Sequence, residues 1–189
     1  MKEKDPGTIF NPVMYLMILF LSIQLMLLFV SYRRMGWLSE TITGGMTDAL
    51  LGAAVLEEEE LYAYGRTDEL QILYPQRKYE RFREILRQEL GLTDSLQAVK
   101  GSVPLVEGEV RILDFVVYSV NREDVTVYDF DETGTYVTAT YAGQKGTLTA
   151  PNGMKVSEST LLARIGFTVK YMGVPLDVSK YHMVDIKDE

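Results

Sequence analysis

The chain opens on a long apolar run near its N-terminus. No charged residue occurs from Thr8 to Tyr32. Pro12 suits the first turn of a helix, and Asn11 carries a side-chain oxygen that could cap it. At about 1.5 Å per residue, a helix over residues 12–32 is roughly 31 Å long, close to the thickness of a bilayer's hydrocarbon core. The pattern predicts a helix that crosses a membrane once.

Two other interpretations of this run are a cleaved signal peptide and a buried core helix. A cleaved signal peptide has a shorter apolar region of about 7 to 15 residues and a small-residue exit, whereas this run is longer and ends in Ser31-Tyr32-Arg33-Arg34. A buried core helix is the other alternative, but one this long and apolar on every face is unusual in a soluble domain. A retained single span is the favoured hypothesis.

The residues that follow the run are typical of a membrane interface. Tyr32 and Trp37 stand where an aromatic belt is expected, and Arg33 and Arg34 can reach the headgroups. Basic residues flank both ends of the run in equal number, so their count does not fix the orientation.

Beyond Gly36 the sequence predicts a second, membrane-proximal amphipathic helix that ends at Gly65. Apolar residues recur there at helical spacing. Gly45, Ala49 and Ala53 form a ridge of small residues that would permit a close helix–helix approach. Two interpretations stay open: the ridge packs on this protein's own sheet, or it contacts a neighbouring subunit. With Gln24 in the apolar run, these are the candidate assembly residues.

Four consecutive glutamates, Glu57 to Glu60, stand near the end of this second helix. Negative charge at a helix C-terminus opposes the helix dipole, so a solvated end is expected. A charge latch to a partner is the alternative.

In the rest of the chain the apolar residues recur first at the helical period of 3.6 residues and then at the strand period of 2. Residues 70–74 are predicted as a short strand, and residues 75–91 as an amphipathic helix that Pro75 opens and Gly91 ends. Alternation then predicts strands over 109–120, 124–130, 135–142, 160–172 and 180–186. The fold class is therefore α+β: a transmembrane helix, membrane-proximal helices and an antiparallel meander. The predicted divisions are 1–34 for tail and anchor, 35–65 for the proximal helix, and 66–189 for the α+β domain.

Composition narrows the possible partners. A net charge of −8 argues against nucleic acid, because phosphate recognition needs clustered Lys and Arg. The chain has no cysteine, which excludes thiol nucleophiles and thiolate metal sites, and the absence of disulfides is compatible with either side of a membrane.

No catalytic constellation and no cofactor motif stand out. The single histidine, His182, lies in a predicted strand, where a surface or hydrogen-bonded role is expected. One acidic loop offers a candidate calcium site, since Asp129, Asp131 and Glu132 precede Gly134 as in part of an EF-hand loop. The position of the bidentate glutamate holds a threonine and the flanks are strands, so a plain hairpin turn is the favoured interpretation.

The whole layout resembles type IV pilin-like proteins, above all TadE-like minor pilins and pilus-assembly proteins of Gram-positive tight-adherence systems. The resemblance lies in the apolar run Val13 to Val30, in TDALLGAAVLEEEELYAYG and in GTLTAPNGMKVSESTLLARIGFTVK. Gly7 matches the start of a prepilin peptidase site, but Pro12 stands where such a site has Glu.

The resemblance implies a short cytoplasmic tail, a single membrane span and an external C-terminal domain. It also implies a non-catalytic structural role, with the lipid bilayer, further copies of the chain or other pilin-like and secretion-system subunits as partners. A membrane-anchored envelope adaptor or sensor, whose β domain binds a protein or cell-wall ligand, is the competing class, and an enzyme comes third.

Overall fold

The computed structural model describes residues 7–67, 70–99, 106–171 and 173–186. It contains three helices: α1 Gly7–Ala54, α2 Glu58–Thr67 and α3 Pro75–Glu89. Five strands follow, namely β1 Val106–Asn121, β2 Asp124–Phe130, β3 Tyr136–Tyr141, β4 Thr160–Tyr171 and β5 Val174–Asp185. The predicted tail before residue 7 lies outside the described residues, as does Met172 at the end of the fourth predicted strand. The α+β class is confirmed.

The five strands form one antiparallel sheet in the order β3-β2-β1-β4-β5. The sheet is not a simple meander, because β4 pairs with the edge of β1 that faces away from β2. The connection from β3 to β4 therefore crosses over the β1–β2 hairpin. The bounds of β2 were predicted correctly, and those of β1, β3 and β4 within a few residues. Strand β5 begins at Val174, six residues earlier than predicted.

Helix α3 covers one face of the sheet through aromatic rings. Tyr79 stacks on Phe130 with ring centroids 5.0 Å apart, and Phe82 lies 5.0 Å from Phe115. Phe115 and Phe130 are paired across β1 and β2, so a single turn of helix covers both strands. Such aromatic contacts add about 0.5–1.5 kcal/mol each beyond the area they bury.

The opposite face has its own core, formed by the long connection between β3 and β4. Ala150 and Val156 from that connection pack with Val116, Tyr118 and Leu162 of the sheet. Central strands β1 and β4 are therefore buried on both faces, which explains their nearly continuous apolar sequences.

Three predicted helix boundaries are wrong. Helix α1 begins at Gly7, so Asn11 is not its cap, and it continues through Gly36 to Ala54. A glycine costs a helix about 1 kcal/mol relative to alanine but does not break it. Gly65 lies inside α2 and does not end it.

The predicted strand at residues 70–74 is irregular. Its backbone groups are bonded to side chains: the Ile72 amide donates to Ser119 Oγ at 2.9 Å, and Ser159 Oγ donates to the Leu70 carbonyl at 2.6 Å. The segment satisfies its polar groups without a neighbouring strand.

The chain divides into two compact units, residues 1–39 and residues 40–189. The second unit includes the C-terminal part of α1, which was predicted to belong to a separate proximal helix.

Candidate functional site

The apolar part of α1 is the most distinctive surface of the first unit. Every residue from 12 to 30 is exposed. The helix contains one stretch long and apolar enough to cross a membrane, and none of that stretch is buried within the chain. Length and composition of this kind are shared by a membrane anchor and by a signal sequence.

Two polar side chains near the middle of this stretch, Ser22 and Gln24, differ in their hydrogen bonding. The Ser22 hydroxyl donates to the Ile18 carbonyl one turn earlier, at 2.8 Å. The Gln24 amide, by contrast, has no hydrogen-bond partner among the described residues. In a hydrocarbon environment an unpaired amide is costly, so Gln24 would gain from a partner on another helix.

The predicted interface residues share a helix face. Arg33, Arg34 and Trp37 line a shallow groove of about 380 Å³ together with Phe29 and Val30. The Arg33 guanidinium lies over the Phe29 ring, 5.6 Å from its centroid. Tyr32 is 77% exposed. This alternation of cations and rings is the composition expected at the edge of a bilayer.

The small-residue ridge is buried inside the second unit. Gly45 lies against Leu90, just after α3, and a Cβ added at Gly45 would come within 2.8 Å of the Leu90 side chain. Ala49 and Ala53 are fully buried. The ridge is therefore buried within this chain, with Gly45 beside the end of helix α3. A neighbouring subunit could contact it only if the fold opened.

One residue of the glutamate run, Glu60, forms a buried ion pair with Lys78 of α3. Glu60 and Lys78 are each only 1% exposed, and Lys78 Nζ lies 2.8 Å from Glu60 Oε2. Lys78 Nζ also donates to the Val55 carbonyl at 2.7 Å, at the end of α1. The expectation of a solvated run holds for Glu58 and Glu59, which are exposed, and is wrong for Glu60.

The Glu60 carboxylate connects several backbone segments. Its Oε2 accepts from the Glu57 amide at 2.9 Å, and its Oε1 accepts from the amides of Leu73 at 2.9 Å and Tyr74 at 3.3 Å. Glu60 is thus the third residue of α2 and reaches back to the residue that caps it, which is half of a capping box. The run begins a helix, where negative charge is favourable, rather than ending one.

The electrostatics of this Glu60–Lys78 cluster favour the ionised carboxylate. Burial by itself raises the pKa of Glu60, but the hydrogen bonds from Lys78 and from the Glu57 and Leu73 amides outweigh it and hold that pKa below its usual value. Glu57, at the rim, pairs with Arg81 at 3.2 Å and Arg77 at 3.5 Å. The cluster joins the end of α1, the start of α2 and helix α3. Its geometry fits a structural joint.

The acidic hairpin does not assemble a metal site. Asp131 Oδ1 accepts from the amides of Thr133 and Thr135 at 2.9 and 3.0 Å, and from the Thr133 hydroxyl. These bonds shape the β2–β3 turn and lower the pKa of Asp131. Within the described ranges, no group of three acidic or histidine side chains, Asp129, Asp131 and Glu132 included, is placed to hold a metal ion.

His182 has the hydrogen-bonded role that was expected. Its Nε2 lies 3.0 Å from Thr47 Oγ1, which in turn is 2.7 Å from the Thr43 carbonyl. Burial, and then the positive charge of Lys180, lower the pKa of His182. The contact ties β5 to α1.

Of the residues singled out from the sequence, Arg33, Arg34 and Trp37 share one face of α1 in the first unit. The ridge residues are buried in the second unit. Lys78 was missed because it lies in a helix rich in alternating charges, where a solvated face is the normal expectation. One sequence feature did indicate the role of Glu60: Glu57 and Glu60 stand three residues apart before Leu61, the spacing of a residue that caps a helix and a glutamate that bonds back to it. No known protein family, no characterised protein and no solved structure matches this chain.

Proposed function

We propose that the protein is a membrane-anchored, non-catalytic structural subunit of a pilus-like or secretion-associated envelope assembly. The observation that supports this most is the fully exposed apolar stretch of α1, attached in sequence to a folded α+β unit. The proposal carries over the type IV pilin-like layout, with the C-terminal unit outside the cytoplasm. The anchor supplies the contact with lipid and with neighbouring helices.

Association of the anchors rests on Gln24. Lipid tails are as apolar as leucine side chains, so helices do not associate in a membrane by hydrophobicity alone. A glutamine amide that pairs across two helices contributes about 0.6–2 kcal/mol. Because the ridge of Gly45, Ala49 and Ala53 is occupied within the chain, the anchor takes over the role of lateral contact.

The first test is extraction and mass. The full-length protein should stay in membranes washed with alkaline carbonate, and its intact mass should include residues 1–34. A mature form that begins after Tyr32 would mean that the apolar run is a cleaved signal sequence, and the anchored subunit would be excluded.

The second test is crosslinking in native membranes, with Gln24→Leu compared with Ser22→Ala. The unmodified protein should crosslink to itself or to secretion-system components. The Gln24→Leu change should weaken this about three- to thirtyfold, as expected for the loss of about 0.6–2 kcal/mol. Ser22→Ala should change little, because the Ser22 hydroxyl is satisfied within its own helix.

The burial of the ridge favours a second candidate, a membrane-anchored envelope adaptor or sensor. An adaptor needs no lateral packing surface on its helix and would present its β domain to a protein or cell-wall ligand. If the unmodified protein gives no crosslinks to itself or to any secretion-system component, this second function replaces the first.

A further inference from the structure

A polar groove runs through the second unit between helix α3, the start of β1 and the turn that joins β2 to β3. Tyr79 and Arg83 line both of its halves. In the first half the arginine charge is already neutralised, because Arg87 forms ion pairs with Glu84 at 2.7 Å and with Asp94 at 3.2 Å. The second half differs in this respect.

The second half, called here the arginine groove, encloses about 370 Å³ and is lined by Arg83, Arg111, Glu109 and Glu132. All four side chains are exposed, and none of them forms an ion pair in the described part of the chain. The Arg83 guanidinium is positioned by one hydrogen bond to the Asp94 carbonyl, at 3.1 Å. Its other N–H groups, and those of Arg111, are free to donate to a ligand.

The Tyr79 hydroxyl adds a fixed donor to the arginine groove. The ring stacks on Phe130 with centroids 5.0 Å apart, and a Cβ added at Gly134 would lie 2.7 Å from the Tyr79 ring. Tyr79 is only 6% exposed, and its hydroxyl has no hydrogen-bond partner among the described residues. Burial raises the pKa of Tyr79, so the hydroxyl keeps its proton. A nearly buried donor without a partner is costly, and an acceptor on a ligand would satisfy it.

We propose that the arginine groove binds the C-terminal carboxylate of a peptide, with Arg83, Arg111 and the Tyr79 hydroxyl as donors to its oxygens. Guanidinium groups bind carboxylates through charge-assisted hydrogen bonds that are often paired. Glu109 and Glu132 bring the charge of the four lining side chains to zero, which disfavours a doubly charged phosphate. The same two glutamates can accept hydrogen bonds from the amide N–H groups of the peptide.

This site goes beyond the proposed assembly role, because it lies in the second unit and needs no contact of the anchor. The probe is trialanine, titrated into the full chain in mild detergent and followed by saturation-transfer NMR. Trialanine amide, acetate and inorganic phosphate are titrated in the same way. Free trialanine should bind most tightly, and the amide about tenfold more weakly or less, because it lacks the charge that strengthens the hydrogen bonds.

Three results would overturn the proposal. The first is binding of the amide or of acetate as tightly as trialanine, which would mean that the carboxylate or the peptide is not recognised. The second is tighter binding of phosphate. The third is no binding of trialanine at millimolar concentrations. None of these results bears on the extraction and crosslinking tests of the anchor, so the two proposals can fail independently.

A set of variants locates the binding. Tyr79→Phe removes the hydroxyl and keeps the stacked ring, and Arg111→Gln removes one exposed charge; each should weaken trialanine binding about tenfold. The matched control is Arg87→Gln, which removes an arginine whose charge is paired within the chain and should leave the affinity unchanged. Equal effects of Arg111→Gln and Arg87→Gln would contradict binding in the arginine groove. Because Arg111 is exposed, this comparison stands even if Tyr79→Phe disturbs the packing.

Discussion

The two parts of helix α1 belong to one continuous helix and yet lie in different surroundings. From residue 12 to residue 30 it is apolar on every face and wholly exposed. Between residues 42 and 53 only a stripe is buried, at helical spacing: Ile42, Gly45, Met46, Ala49, Leu50 and Ala53. Leu50 is fully buried, while Leu51 beside it is 50% exposed.

The difference shows that periodicity, more than apolar content, reveals what a helix packs against. A striped helix matches a core on one side and water on the other. A helix that is apolar on every face, and that no other part of its own chain covers, is suited to an apolar environment such as a bilayer.

The largest effect is expected at the joint where the buried part of α1 ends. Glu60→Ala leaves Lys78 buried without a partner and removes the acceptor of the Leu73 amide. Loss of one member of a buried ion pair costs about 3–5 kcal/mol, measured as the free energy of unfolding by denaturant titration. Glu84→Ala removes the exposed ion pair with Arg87 and should give no measurable change. A small effect of Glu60→Ala would show that the cluster is not a structural joint.

A pair of identical leucine truncations compares the two parts of α1 directly. Leu50→Ala leaves a cavity in the buried stripe and should destabilise the second unit by about 2–5 kcal/mol. Leu21→Ala, in the exposed apolar stretch, should leave the unfolding of that unit unchanged. Chemical denaturation in detergent, followed by the near-ultraviolet signal of the sheet's tyrosines, measures both. Equal costs would place both leucines in the same core.

Adjacent glycines in α1 allow a finer comparison. A Cβ at Gly45 would meet the Leu90 side chain, whereas a Cβ at Gly44 meets nothing within 4 Å. Gly44→Ala should stabilise the domain by about 0.5–1 kcal/mol through helix propensity alone. Gly45→Ala should be less stable than Gly44→Ala by about 1–3 kcal/mol, because the core must shift to admit the methyl group. Stabilisation of equal size at both sites would show that the ridge is not packed as described.

The smallest effect is a pH dependence at His182, which links β5 to Thr47 of α1. Burial lowers the pKa of His182 below 6.5, so the unfolded chain binds the proton more readily. The stability contributed by the neutral ring is present above pH 6.5 and is lost as the pH falls through the lower, folded value. Unfolding free energies measured from pH 8 to pH 5 should decline, and His182→Asn should remove that slope. An unchanged slope in the variant would assign it to other groups.

Much of this fold follows from the sequence. The ends of strand β2 were predicted correctly because turn-forming residues stand on both sides of an alternating segment. These are Asn121-Arg122-Glu123 before the strand and the turn after Phe130. Helix α3 was predicted because Pro75 opens it and its apolar face repeats at helical spacing. Both predictions depend on residues close together in the sequence, namely turn formers, a helix-opening proline and a regular spacing of apolar side chains.

The failures are cases where distant groups decide the outcome. Residues 70–74 look like a strand, but Glu60, Ser119 and Ser159 satisfy their backbone. Lys78 looks solvated, but Val55 and Glu60 enclose it after the chain has folded. The contact between Gly45 and Leu90 depends on the packing of α1 near the end of α3. None of these partners is close in sequence, and no periodic pattern indicates them.

We propose that residues 12–30 of α1 lie in lipid, while the helix beyond residue 40 belongs to a water-exposed domain. Single cysteines at positions 21 and 51 test it most directly, with a water-soluble maleimide applied to membranes opened to give access from both sides. We expect Leu51→Cys to be labelled and Leu21→Cys to be labelled only after the protein is denatured. Equal labelling of both variants in intact bilayers would contradict it.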